Sequence, residues 1–192
     1  MKRVVKNIFF AINSSRLIFH ILLFKLKADP LFAGDLLRWK ELYHKEKHSD
    51  ISAFLHFLIY KPEFRNLFYY RMGNASRVIK FLCPQMNTLY INTKKIGKGL
   101  FIAHGFSCII SAESIGENFW VLQQVTVGSA HGGDPVIGNN VRVFAGAKVI
   151  GKIKIGNNVD VGANAVVVKD VPDNSTAVGV PARIIKRDIP TD

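Results

Sequence analysis

Apolar positions along this chain follow two periods, and the change falls near residue 85. Before it, apolar residues recur at the three- and four-residue spacing of a helix face. Phe32, Leu36, Trp39 and Tyr43 mark one such stripe. Asp29-Pro30 supplies a capping side chain followed by proline at the first helical position, which predicts a helix start. Ser49 or Asp50 can cap the next segment, ISAFLHFLIY. Lys61-Pro62 opens PEFRNLFYYRM, which Gly73 ends. The sequence ASRVIKFL predicts a last short helix that stops at Pro84. The aromatic residues of these stretches sit at core spacing and read as core.

From about Tyr90 the period becomes six. Ile137, Val143, Val149, Ile155, Val161 and Val167 form one unbroken series. An earlier one runs Ile96, Ile102, Cys108, then Ile115, Val121, Val127. It implies one inserted residue between Cys108 and Ile115. Four more are inserted between Val127 and Ile137. A glycine often follows the branched residue, as at Gly97, Gly116, Gly138 and Gly156. A fixed period of this kind marks a repeat architecture. Each hexad is a short strand and a turn, and three hexads close a triangular coil of about 18 residues whose neighbours stack at roughly 4.8 Å. The β-branched residue suits the buried, pleated inner position. The glycine is expected to supply turn dihedrals. No coil is stable alone, because each buries its faces on its neighbours. The expected class is mainly β with α: a parallel β-helix of hexapeptide repeats preceded by a helical region. The expected boundaries are 1–85 for the helices, 86–187 for the β-helix with a loop at 129–136, and 188–192 for a tail.

Composition narrows the function. The 192 residues are 48% hydrophobic, enough for a packed core and too apolar for disorder. The two cysteines, Cys83 and Cys108, form neither a disulfide framework nor a zinc motif, and the reducing cytoplasm is the expected home. The net charge of +12 is uneven. Residues 1–80 hold 15 Lys/Arg and 6 Asp/Glu, hence +9; residues 81–192 hold 11 and 8, hence +3. This bias favours anionic partners. No nucleic-acid motif accompanies it, so nucleic acid is not an expected partner. The runs NIFFAI and LIFHILLF are too short for a transmembrane helix, which needs about 20 apolar residues, and no signal-peptide cleavage site follows. Two readings stay open for residues 1–27. One is a helix lying peripherally on the anionic inner membrane face. The other, the commoner fate of such a segment, is a helix packed on its own domain or on a neighbouring subunit.

The six-residue repeat resembles the left-handed parallel β-helix acyltransferases. The tail VVVKDVPDNSTAVGVPARII, residues 166–185, looks like the ending of that superfamily's acetyltransferases. The stretches KIGKGLFIAHGFSCII, QQVTVG and PVIGNNVRVFAGAKVIGKIKIGNNVDVGANAVV resemble the serine acetyltransferase branch. They are closer still to its relatives that O-acetylate bacterial surface polysaccharides. The resemblance covers about residues 55–187. It implies acetyl-CoA as co-substrate and a homotrimer with active sites between β-helices.

Acetyl transfer to a hydroxyl needs a base, an oxyanion site and a groove for CoA. A histidine is a natural base, since its ordinary pKa of about 6.5 leaves much of it neutral in the cell. By the resemblance, His104 falls on the family's catalytic base. The loop SAHGGDPV carries His131, which could act as a second active-site histidine or remain solvated; in the serine enzymes such a histidine directly precedes the proline, where Asp134 stands here. Backbone N–H groups near Gly128 and Ser129 are the oxyanion candidates. The resemblance places CoA contacts at Ser129, Ala145, Gly146, Gly162 and Ala163, with Lys148, Lys169, Arg183 and Lys186 as candidates for its phosphates. Trp120 and Gln123 could line the acceptor side. The serine enzymes carry acidic residues where Ala103 and Leu89 stand here. That contrast predicts a sugar or glycan hydroxyl as acceptor, in surface-polysaccharide synthesis, with serine as the alternative. A β-helix zinc hydratase would need three histidines, and none follows His131. A non-enzymatic scaffold would need neither His104 nor the CoA-type tail.

Overall fold

The computed structural model describes residues 13–130 and 132–186. Two compact units meet in sequence at Met86 and Asn87.

Among its described residues the first unit holds four α-helices: α1 (Ile18–Lys27), α2 (Pro30–Leu42), α3 (Asp50–Tyr60) and α4 (Pro62–Met72). The predicted caps are present. Asp29 Oδ1 accepts from the backbone N–H groups of Leu31 and Phe32 at 2.9 and 3.0 Å, and Ser49 Oγ accepts from Ser52. Gly73 ends α4 with φ 58°. Phe32, Phe54, Phe64 and Phe68 interlock edge-to-face or tilted beside Trp39 and Phe57, all buried. The aromatics are therefore core, as their spacing predicts. A bidentate pair between Arg71 and Asp35 (2.7 and 3.2 Å) lies inside this core. Lys27 donates to the carbonyls of Arg71 and Met72, satisfying the end of α4. The segment ASRVIKFL does not form one α-helix. It forms two 3-10 turns, Gly73–Ser76 and Lys80–Leu82. The Ser76 hydroxyl donates to the carbonyl of Gly73 at 2.7 Å, a local bond that competes with a regular helix start, and Val78-Ile79 is β-branched. The first apolar run, residues 7–12, lies outside the described residues. Among those described, no helix is long and apolar enough to cross a membrane.

His20 of α1 is fully buried, 2.8 Å from the Tyr69 hydroxyl. That hydroxyl donates to the carbonyl of Cys83, so it accepts from His20 Nε2–H. His20 Nδ1 is left buried without a partner. Burial, and secondarily the charge of Arg16, lowers the His20 pKa from 6.5 to about 4. The unfolded chain then binds the extra proton between those values. Stability is full above pH 6.5 and is lost as the pH falls toward 4. The loss attributable to His20 at pH 5 is about 2 kcal/mol. Urea denaturation at pH 7.5 and pH 5 measures it, and His20→Gln should remove that part of the pH dependence. An equal loss in the variant would show that other groups carry it.

The second unit is a left-handed parallel β-helix of about five turns. Among the described residues, fourteen strands form three sheets: β1-β3-β6-β9-β12, β10-β7-β4, and β14-β13-β11-β8-β5-β2. In the first lie β1 (Leu89–Ile91), β3 (Cys108–Ile110), β6 (Thr126–Gly128), β9 (Lys148–Ile150) and β12 (Val166–Val167). The second holds β4 (Ser114–Ile115), β7 (Val136–Ile137) and β10 (Lys154–Ile155). The third holds β2 (Phe101–Ile102), β5 (Trp120–Val121), β8 (Arg142–Val143), β11 (Asp160–Val161), β13 (Ser175–Val178) and β14 (Arg183–Lys186). All ladders are parallel except β13–β14, an antiparallel pairing at the end of the stack. The six-residue series points inward: Val121, Val127, Val143, Val149, Val161 and Val167 are buried and in register.

Two details differ from the sequence reading. First, the rung aligned with Val127 is Ile110, while Cys108 lies two residues earlier and is also buried. Ile102 to Ile110 is a step of eight, against six from Val121 to Val127, so the coil gains two residues between β2 and β3. Second, Gly97, Gly116 and Gly138 do not have left-handed dihedrals. A Cβ at each would lie 2.7–2.8 Å from the next coil's backbone, so close stacking requires their smallness. The left-handed turns are made largely by asparagines: Asn118, Asn140, Asn158, Asn164 and Asn174 all have φ near 56°. Four of them form a ladder, with Nδ2 of Asn118, Asn140 and Asn158 each donating to Oδ1 of the next.

Candidate active site

His104 sits where the two extra residues interrupt the coil, at the corner between the β2–β14 sheet and the β1–β12 sheet. Its side chain is exposed and its φ is 59°, a left-handed conformation that histidine adopts more readily than most residues. The corner backbone is fixed from the next coil. Ala103 N–H donates to Val121 at 2.9 Å, and Gln124 N–H donates to Phe106 at 2.8 Å. A polar side chain thus projects from a rigid turn on an otherwise apolar segment.

The same corner recurs in the following coils as Gln123-Gln124, Ala145-Gly146 and Gly162-Ala163-Asn164. Gly146 N–H donates to Gln123, and Asn164 N–H to Ala145. By the register of β8 on β11, Ala145 and Ala163 stack in one column, and Gly146 and Gly162 flank it, so small residues cluster at this corner. Gly146 also has a local reason to be glycine: φ is 75° and a Cβ would lie 2.0 Å from Asn164 Oδ1. Lys148, on β9, donates to the carbonyl of Gln124 at 2.6 Å and so ties this column together.

Ser129 and the rest of the loop lie at the other end of the same sheet, five residues from Gln124, or roughly 15 Å along an extended strand. The loop spans 129–135, between β6 and β7. Ala130 and Gly133 exchange backbone hydrogen bonds, and Glu113 N–H donates to Pro135. His131 lies outside the described residues. One chain therefore does not bring His104 together with Ser129. Lys169 and Arg183 meet farther along the stack, where they line a pocket of about 370 Å³ with Val167, Val171, Ala177 and Pro181. The side chain of Lys186 lies outside the described residues.

Among the described residues of this unit, three side-chain atoms are buried without a hydrogen-bond partner: Trp120 Nε1, Gln123 Oε1 and Asp134 Oδ1. Buried polar atoms are ordinarily paired, so these three are exceptions. Trp120 stands on the outer face of β5, edge-to-face with Phe101 at 5.2 Å. Sequence reasoning grouped Trp120 and Gln123 only loosely with the acceptor side.

The family model for the bacterial transferase hexapeptide (six repeats) matches residues 134–169. With the fold described above, this places the β-helix unit in the hexapeptide-repeat transferase superfamily. Within it, the similarity runs to serine acetyltransferases. The enzyme of that name from Staphylococcus aureus is 49% identical over 102 residues, covering 49% of this chain and 46% of the relative. The crystal structure of serine acetyltransferase from Brucella abortus superposes with a TM-score of 0.66 at 26% identity, covering 84% of this chain and 72% of that one. A serine acetyltransferase in complex with CoA gives a TM-score of 0.66 at 27% identity, with 85% and 72% coverage. The chain spans about half the length of the curated relatives it matches.

These findings correct the expected acceptor. The relatives and solved structures to which the chain is similar are serine acetyltransferases, against the expected sugar or glycan hydroxyl of surface-polysaccharide synthesis. The prediction leaned on Ala103 and Leu89 standing in place of acids. Leu89 is buried on β1, in register with the buried Cys108, so core packing dictates its apolar character.

Proposed function

We propose that this protein transfers the acetyl group of acetyl-CoA to the hydroxyl of L-serine, the step that commits serine to cysteine biosynthesis. The observation that carries the reading is the 49% identity to serine acetyltransferase across 102 residues, together with an exposed histidine on a rigid β-helix corner. His104 takes the proton of the serine hydroxyl as its oxygen attacks the thioester carbonyl. Backbone N–H groups near Gly128 and Ser129 stabilise the tetrahedral oxyanion. Collapse breaks the C–S bond. The imidazolium returns its proton to the sulfur, giving O-acetylserine and CoA with its thiol restored.

The cluster of Ala145, Gly146, Gly162 and Ala163 lets the pantetheine arm lie close to the backbone, and Lys169 and Arg183 face the CoA phosphates. His104 and Ser129 occupy different corners of one chain, so the reading takes the base from one copy and the loop from its neighbour in a homotrimer. The two buried free cysteines suit a reducing cytoplasm.

Incubation with acetyl-CoA and L-serine, followed by free-thiol release, tests the assignment. Serine-dependent release with O-acetylserine as product is the expected result. Release no faster than with acetyl-CoA alone would overturn it.

A further inference from the structure

Helix α1 is apolar on two sides, and its own unit covers one of them. Leu17 and His20 are buried, and Phe24 stacks on Phe54 at 4.7 Å, so this side packs on the other helices. The opposite side carries Ile18, Phe19, Leu22 and Leu26, which are 48–83% exposed. At α-helical spacing these four fall within an arc of about 100°. Single exposed apolar residues need no explanation, but a contiguous stripe of large ones marks an interaction surface.

The charges around the stripe identify the partner. Residues 1–28 hold six Lys/Arg and no Asp or Glu. Lys25 is exposed in the last turn of α1, and Arg16 is exposed just before the helix. A second segment starts and ends beside the same helix. Lys27 donates to the carbonyl of Met72 at its start, and His20 meets the Tyr69 hydroxyl, which donates to the carbonyl of Cys83 at its end. Between these anchors Val78 and Phe81 are each 76% exposed. Arg77 and Lys80 accompany them, and residues 73–83 again contain no acid. Among the described residues, Arg16, Lys25, Arg77 and Lys80 make no salt bridge.

A second copy of the chain matches this surface badly. An isologous pairing would set the patch against itself, cation toward cation, with no carboxylate between them. Nucleic acid matches the charge but gives the aliphatic stripe nothing to bury against. An anionic lipid surface matches both features: the stripe enters the boundary of the acyl chains while Lys and Arg stay with the headgroups. At ten residues α1 is far short of a span, so it would lie in the plane of the interface.

We propose that the outward face of α1, with Val78 and Phe81, is a docking surface for an anionic membrane. The proposal is independent of the acetyl-transfer reading, since it needs neither His104 nor serine.

Co-sedimentation of the full chain with lipid vesicles tests it, using phosphatidylcholine alone and an equal mixture of phosphatidylcholine and phosphatidylglycerol. Binding is expected on the mixed vesicles and should be at least about tenfold weaker on phosphatidylcholine alone. It should weaken as salt rises from about 0.1 M to about 0.5 M, because exposed charges are screened. Phe19→Ser and Leu26→Ser should each weaken it by about tenfold or more, through lost apolar burial. Lys25→Gln with Arg77→Gln should weaken it by about 30-fold, at about fivefold for each cation lost. All of these side chains are exposed, so urea unfolding should stay close to that of the wild-type protein.

No binding to the mixed vesicles would overturn the proposal, as would equal binding to both kinds. Undiminished binding by Phe19→Ser and Leu26→Ser would also overturn it, by placing the contact elsewhere. A dimer that these variants dissociate, together with absent vesicle binding, would assign the face to a second copy instead.

Discussion

Replacement of His104 should lower kcat for acetyl transfer by about 10²- to 10⁴-fold, the range general-base catalysis contributes. The fold should survive. The side chain is exposed, and the inward positions that hold this coil are Ile102, Cys108 and Ile110. Backbone conformation is the one structural demand at the site, because φ is 59°. Asparagine meets that demand at five other turns of the same unit, so His104→Asn removes the base with little backbone cost, while His104→Ala adds some strain. Both variants should unfold within about 1 kcal/mol of the wild-type protein, since surface substitutions seldom cost more. Both should lose activity together. Turnover within a few-fold of wild type in either would remove His104 from the chemistry.

The largest expected loss of stability lies in the helical unit, at Asp35→Ala. Asp35 is 0% exposed and Arg71 7%. Removing the carboxylate leaves a guanidinium desolvated beside Tyr70, its centre 5.4 Å from the ring. Breaking a buried pair in this way costs about 3–5 kcal/mol. Replacing both partners together, with Asp35→Leu and Arg71→Met, should recover most of that loss, because no unpaired charge remains. Urea unfolding followed through Trp39, the one tryptophan of this unit, measures both effects. A double variant as unstable as Asp35→Ala would show that the salt bridge itself stabilises the unit rather than merely offsetting its own burial.

The repeat was legible in the sequence because the physics behind it is strict. Each inward rung must be apolar and suits a β-branched residue, so Val and Ile return every six positions from Ile137 to Val167. Helix starts were legible for a similar reason, since Asp29 and Ser49 satisfy N–H groups that nothing else reaches. The corner at His104 was harder. Cys108 and Ile110 both point inward, two residues apart, so a count of six from Ile102 lands on Cys108 and hides the two-residue expansion. The Asp35–Arg71 pair joins residues 36 positions apart, and no local pattern announces it. The expected sugar acceptor rested on two substituted positions, Ala103 and Leu89, and Leu89 proves to be a buried packing residue of β1.

The asparagine ladder has a direction. From Asn118 through Asn140 and Asn158 to Asn174, every amide N–H points the same way along the stack. At its start, Asn118 Oδ1 faces Gly99, where a Cβ would lie 2.3 Å away. A stack of this kind can be lengthened only in whole coils that keep the polarity. Duplicating residues 140–157 inserts one such coil, since Asn140 and Asn158 are 18 residues apart. The added rung both donates and accepts, as its neighbours do. Extra residues that do not make a whole coil must loop out of the stack, as they do within the 22-residue step from Asn118 to Asn140, so the ladder itself is extensible only by integers.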